Sequence, residues 1–183
     1  MSQSYPFPVR RFLNNLRQLE SRDDRAALSA LRRGSSETTR HLAWPVIRQC
    51  GGDLRHPAWI AIGAAFAFHP QMTAASSSDL NLGVTCHVLA APTRKDGKSS
   101  FDARFRRLLA VDSAADFAKW VVQIAKRAKT AKPHPAPINY EELLTALLFW
   151  DTGDGASRER SRQRWATAYW QPGLPDETES TEL

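Results

Sequence analysis

The chain has 183 residues, with 25 Lys and Arg against 19 Asp and Glu, a formal charge of +6 and an isoelectric point near 9.7. Two cysteines exclude a disulfide framework, and the most apolar run, residues 58–68, is too short to span a bilayer. What remains is one domain, or two small ones, with a real core. No apolar signal segment stands near Met1, so a cytoplasmic location is expected, with Cys50 and Cys86 as reduced core thiols.

Residues 9–19 form the first amphipathic helix expected, with Phe12, Leu13, Leu16 and Leu19 on one side. Ser21 and Asp24 are spaced as a capping box for a second helix that ends at Arg33, before Gly34. Arg25, Arg32 and Arg33 share its outer face. Residues 35–41 are polar and loop-like. Pro45 suits the first turn of a short helix that Gly51 and Gly52 end. Pro57 begins a helix through Phe68 that is apolar almost all round and is therefore expected to be buried on every side.

Residues 73–79, with three consecutive serines, are expected to be a mobile loop, and residues 80–91 a short helix. Arg94, Lys95 and Lys98 lie in a basic turn with Asp96 and Gly97. Phe101, Phe105, Leu108 and Leu109 then set one buried helical stripe. Phe117, Trp120, Val121, Ile124, Ala125 and Ala128 set a second. Ser113 and Asp116 form a capping box after the short break at Val111 and Asp112. Arg104, Arg106, Arg107, Lys119, Lys126 and Arg127 occupy the other faces with almost no acidic partners, an imbalance that points to a polyanion.

Three prolines within residues 129–137 require an extended linker. Asn139 and Glu142 form a further capping box, followed by a buried stripe at Leu143, Leu144, Leu147, Leu148 and Trp150. A Gly/Asp loop at residues 151–157 leads to a last helix, residues 158–170. Trp165, Ala166 and Tyr169 face inward there, and Arg158, Arg160, Arg162 and Arg164 surround its first half. Residues 173–183 hold four acids and no cation; without them 25 basic residues face 15 acidic ones. That acidic tail is expected to be disordered. No helix pairs a cationic face with an exposed apolar one, so a basic body fits nucleic acid better than a membrane.

The chemistry of an enzyme is missing. The five histidines lack metal-ligand spacing, and there is no glycine-rich phosphate loop or nucleophile elbow. Glu141 and Glu142 suit a helix N-terminus, and Asp151 and Asp154 suit a turn, so neither pair requires a metal nuclease. No catalytic residue, cofactor, metal or small-molecule substrate is expected. Trp44, Trp59, Trp120, Trp150 and Trp165 sit at apolar helical positions and are expected in the core, with Trp170 the exception. A helix-turn-helix reader is disfavoured, because no second helix follows residues 25–33 after a short turn. Binding thus rests on charge, which positions a strand without reading its bases.

The segments DRAALSALRRG, AWPVIRQCGG, RHPAWIAIGAAFAFHP, FDARFRRLLAVDSAADFAKWVVQIAKRAK, INYEELLTALLFW and SRERSRQRWATAYW follow one another in a familiar order. Over residues 9–171 the chain resembles the CasB small-subunit family of the type I-E CRISPR surveillance complex, Cascade. The resemblance implies an all-α, non-enzymatic protein of two packed helical subdomains with eight or nine helices and no sheet. Residues 1–91 and 92–172 would form the two. It also implies partners: guide RNA, target DNA in both its target and displaced strands, other Cascade subunits, and a second copy of the chain. In the family, basic faces stabilise the R-loop, and a separate helicase-nuclease cleaves. Carried over by position, Arg33, Arg55, Arg104, Arg158 and Arg160 match the family's basic positions. The turn at residues 151–157 is insertion-like and leaves the register of the last two open.

The candidate nucleic-acid-binding set is therefore Arg25, Arg32, Arg33, Arg55, Arg94, Lys95, Lys98, Arg104, Arg107, Lys126, Arg127, Arg158 and Arg160. The alternative to a Cascade subunit is a stand-alone helical RNA- or DNA-binding protein.

Overall fold

The computed structural model describes residues 6–70, 80–153 and 155–171. Among them run nine α-helices: α1 (Pro6–Ser21), α2 (Arg25–Arg33), α3 (Trp44–Gln49), α4 (Pro57–Phe68), α5 (Leu82–Ala90), α6 (Asp102–Leu109), α7 (Ala114–Thr130), α8 (Tyr140–Leu148) and α9 (Ala156–Trp170). No β-strand occurs among the described residues; Lys95 and Lys98 form an isolated antiparallel bridge. The chain is all-α, as its periodicity requires. None of the helices is long and apolar enough to cross a membrane. The expected loop at residues 73–79, Asp154 and the acidic tail lie outside the described residues.

The centre is α4. Its sequence carries no charged side chain, and nine of its twelve residues are buried. The ring of His56 accepts the amide of Ala58 at 3.2 Å, which caps a start already suited to Pro57. α4 lies most extensively against α7, and also contacts α2, α3 and α8. Tyr140, at the start of α8, donates its hydroxyl to the carbonyl of His69 at 2.6 Å, just past the end of α4. A single cluster of buried residues runs from Val9 in α1 to Tyr169 in α9. Cys50 and Cys86 are buried free thiols, and burial pushes Cys50 up to about 11.

Three large rings join the C-terminal helices. Phe117 and Trp150 stack at 4.4 Å between centroids, and Trp165 stacks on Phe117 at 5.3 Å and on Trp150 at 5.6 Å. α5 reaches α9 through a close backbone approach. A Cβ on Gly83 would stand 2.1 Å from the carbonyl oxygen of Trp165.

Several local expectations are corrected. Asp24, not Ser21, is the N-cap of α2: its carboxylate accepts the Ala27 amide at 2.9 Å, while Ser21 ends α1. Gly34 follows α2 in right-handed helical geometry, so glycine is required there by space rather than by handedness. An added Cβ would meet the Leu31 carbonyl at 2.9 Å and Ala43 at 3.2 Å. The polar stretch after it runs into a 3-10 turn at Arg40–Ala43. α7 continues through Thr130, into the stretch expected as a linker. Trp44, expected in the core, is 41% exposed, and Trp120 is only partly buried. Trp59, Trp150 and Trp165 are buried and Trp170 is exposed, as expected.

Candidate nucleic-acid interface

α6 and α7 form as two amphipathic helices because each alternates apolar and cationic residues at helical spacing. Phe105 and Leu108 bury one face of α6, and Phe117, Val121, Ile124, Ala125 and Ala128 bury one face of α7. The Ser113 hydroxyl accepts the Asp116 amide at 3.1 Å and donates to its carboxylate at 3.0 Å, which fixes the start of α7. The break between the helices is held from α9. Arg162 donates to the Val111 carbonyl at 2.8 Å and pairs with Asp112 at 3.0 Å. Arg158 donates to the Asp112 carbonyl at 2.6 Å, and the Trp150 indole donates to Val111 at 3.2 Å.

Held this way, α6 and α7 frame an open cleft of about 240 Å³ lined by Phe101, Arg104, Arg107, Trp120, Gln123, Ile124 and Arg127. Phe101 and Ile124 are buried and make its floor, Trp120 is a half-buried wall, and the three arginines and Gln123 are exposed at the rim. The Arg127 guanidinium lies 6.0 Å over the Phe101 ring. No carboxylate lines the cleft, and among the described residues none of the three arginines is ion-paired.

The basic surface continues beside it. Lys126 is exposed, with its ammonium 4.4 Å over the Phe68 ring at the end of α4. Arg32 donates to the Ala67 carbonyl at 2.8 Å, satisfying an orphan carbonyl of α4's last turn. Arg32 and Lys126 thus both reach the end of α4, and Arg127, next to Lys126 on α7, shares the cleft with Arg104 and Arg107.

The other candidates are placed differently. Arg25 is exposed and paired with Asp23 at 2.9 Å. Arg33 is exposed on α2. Arg55 chelates Asp53 through its side chain, with a shortest contact of 2.9 Å, and holds that carboxyl down at about 2. Arg94 is partly buried with its guanidinium 5.3 Å over the Tyr169 ring, while Lys95 and Lys98 are exposed on a turn whose Asp96 and Gly97 have positive φ. Arg158 serves the α6–α7 break, and Arg160 is exposed and bonded to Ser157 at 2.9 Å.

Phe101, Trp120, Gln123 and Ile124 are cleft residues that the charge argument passes over. Their spacing carries the signal. Residues 101, 104 and 107 fall at i, i+3 and i+6 from the N-cap of α6 into the helix, and residues 120, 123, 124 and 127 fall at i, i+3, i+4 and i+7 on α7, so each set is one helical face. Among the described residues no group of three or more His, Cys, Asp or Glu is arranged to hold a metal ion.

A family model described as CRISPR-associated protein Cse2 matches residues 24–170, from the N-cap of α2 to the end of α9. No curated protein and no solved structure matches the chain.

Proposed function

The chain belongs to the Cse2 family of CRISPR-associated proteins, and on that premise we propose that it is the non-catalytic, nucleic-acid-binding small subunit of the type I-E complex, Cascade. Its basic surface holds DNA strands of the R-loop through phosphate contacts that are independent of sequence. The observation that carries this reading is the meeting of Arg104, Arg107 and Arg127 at one cleft with no carboxylate among its lining residues. Three cations with no carboxylate partner among the described residues favour a polyanion, and guanidiniums suit phosphate oxygens by their bidentate geometry. Lys126 and Arg32 extend the charge beyond the cleft, so a strand can be followed over several phosphates. The partners in this reading are the guide RNA, target and displaced DNA strands, the other Cascade subunits and a second copy of the chain.

The test is the R-loop lifetime on target DNA at fixed salt, in complexes assembled with wild-type or variant subunit. Single Arg104→Ala, Arg107→Ala and Arg127→Ala changes are each expected to shorten it only a few-fold, since exposed contacts are individually worth about 0–1 kcal/mol. The triple variant is expected to lose the R-loop rapidly while guide-RNA loading and melting temperature persist. A triple variant that assembles and holds its R-loop as long as wild type refutes the reading.

A further inference from the structure

The cleft is built for more than a phosphate. A phosphate group needs cations and donors, and gains nothing from the apolar floor of Phe101 and Ile124 or the indole wall of Trp120 beneath them. A nucleobase needs that combination: flat apolar faces to stack, polar edges to hydrogen-bond, and an attached phosphate to pair with a guanidinium. The volume of about 240 Å³ lies below the roughly 300–1,000 Å³ of sites for drug-sized ligands, which fits one base rather than a larger cofactor. Gln123 is exposed on the same helical face as Arg127, and its amide can donate to or accept from any base edge.

We infer that the α6–α7 cleft captures one unstacked nucleobase of a single strand, with the base against Trp120 above the apolar floor and its flanking phosphates on Arg104, Arg107 and Arg127. The inference rests on the nucleic-acid reading above and adds a ligand class and a strand preference. In a duplex the bases are stacked and paired, so the cleft engages unpaired DNA. The recognition tolerates every base, because every base has a π-face. It also explains why Trp120 remains partly exposed on a helix whose apolar stripe is otherwise buried.

The experiment compares binding of the full-length chain, at low salt, to an oligothymidylate and to an abasic strand of equal length and charge. The thymidylate is expected to bind about 5- to 150-fold tighter, the range for one stacked base, with the same salt dependence for both strands. Trp120→Leu, which keeps an apolar side chain at the wall, is expected to erase that difference while leaving abasic binding unchanged and the chain folded, with a small loss of melting temperature. Equal affinity of both strands for the wild type overturns base capture but leaves phosphate binding standing. Discrimination that survives in Trp120→Leu overturns the assignment to this cleft, as does competition by polyglutamate as effective as that by thymidylate. If neither strand binds, base capture is overturned, and the phosphate reading is decided by the R-loop lifetime of the assembled complex.

Discussion

The carboxylate of Glu142, in the first turn of α8, accepts the indole N–H of Trp165 from α9 at 2.6 Å. The same oxygen accepts from Arg164 at 2.6 Å, so one acid ties two neighbouring residues of α9 to α8. Its side chain is only 13% exposed. Burial pushes the Glu142 carboxyl up, against the opposing pull of Arg164 and the Trp165 indole. A group whose folded pKa exceeds its unfolded value binds more protons in the native state. Its contribution is therefore full below the ordinary value of 4.5 and declines as pH rises through the folded value. The unfolding free energy of wild type, measured relative to Glu142→Gln by urea denaturation, should fall as pH rises above that point. A difference that stays flat or rises with pH would show that the ion pair with Arg164 outweighs burial.

The stacked rings of Phe117, Trp150 and Trp165 should separate stability from binding. Trp150 is fully buried between helices, and Trp150→Ala should cost on the order of 3–5 kcal/mol, as large aromatic deletions in cores do. Trp120→Ala leaves a smaller void, because one side of that ring already faces the cleft, and should cost less than Trp150→Ala. Thermal or urea unfolding of both variants decides the order. Equal losses would make Trp120 a core residue in energetic terms.

Gly83 offers a backbone test of the contact between α5 and α9. A methyl at that position would lie 2.1 Å from the Trp165 carbonyl oxygen and 2.8 Å from its carbonyl carbon. Backbone cannot yield as a flexible side chain can, so the two helices must part. Gly83→Ala should destabilise by about 1–3 kcal/mol or more, the scale of an overpacked core. An unchanged or raised melting temperature would mean that α9 shifts freely against α5.

Helices were legible where apolar spacing repeated, as in α6 and α7, because that spacing is the cause of their burial, and α4 was legible from a run that is apolar on every side. Short elements were less legible. Trp44 lies in a helix of six residues, where too few turns exist for periodicity to say which side faces the core. Glu142 has the spacing of a capping box, and Asn139 does accept its amide at 3.1 Å. Its carboxylate is nevertheless taken by α9, a partner 22 or 23 residues away that spacing cannot reveal. Cations posed the same difficulty. Sequence counts Arg55, Arg104 and Arg158 alike, yet the fold gives Arg55 a carboxylate and Arg158 a backbone carbonyl, and leaves Arg104 at an open cleft.

That difference between Arg55 and Arg104 leads to the last prediction. Arg55 meets both carboxylate oxygens of Asp53, and the Arg55 amide also donates to Asp53 at 3.0 Å. These hydrogen bonds lower the Asp53 carboxyl to about 2, so the acid stays ionised from neutral pH down to strongly acid conditions. A lowered folded pKa means the pair is present above the ordinary value of 3.8 and is lost only as pH falls through the folded value. Changing pH between about 5 and 8 therefore leaves the pair intact, by the ordinary form of a titration curve. A DNA phosphate reaching Arg55 must compete with a neighbour two residues away, whereas one reaching Arg104 meets no such rival. In assembled complexes, Arg55→Ala should shorten the R-loop lifetime less than Arg104→Ala. Asp53→Asn should lengthen it, because the guanidinium is released and one negative charge is removed from the strand's path. If Arg55→Ala costs as much as Arg104→Ala while Asp53→Asn changes nothing, the bound strand displaces the carboxylate without penalty, and the intramolecular pair does not govern Arg55.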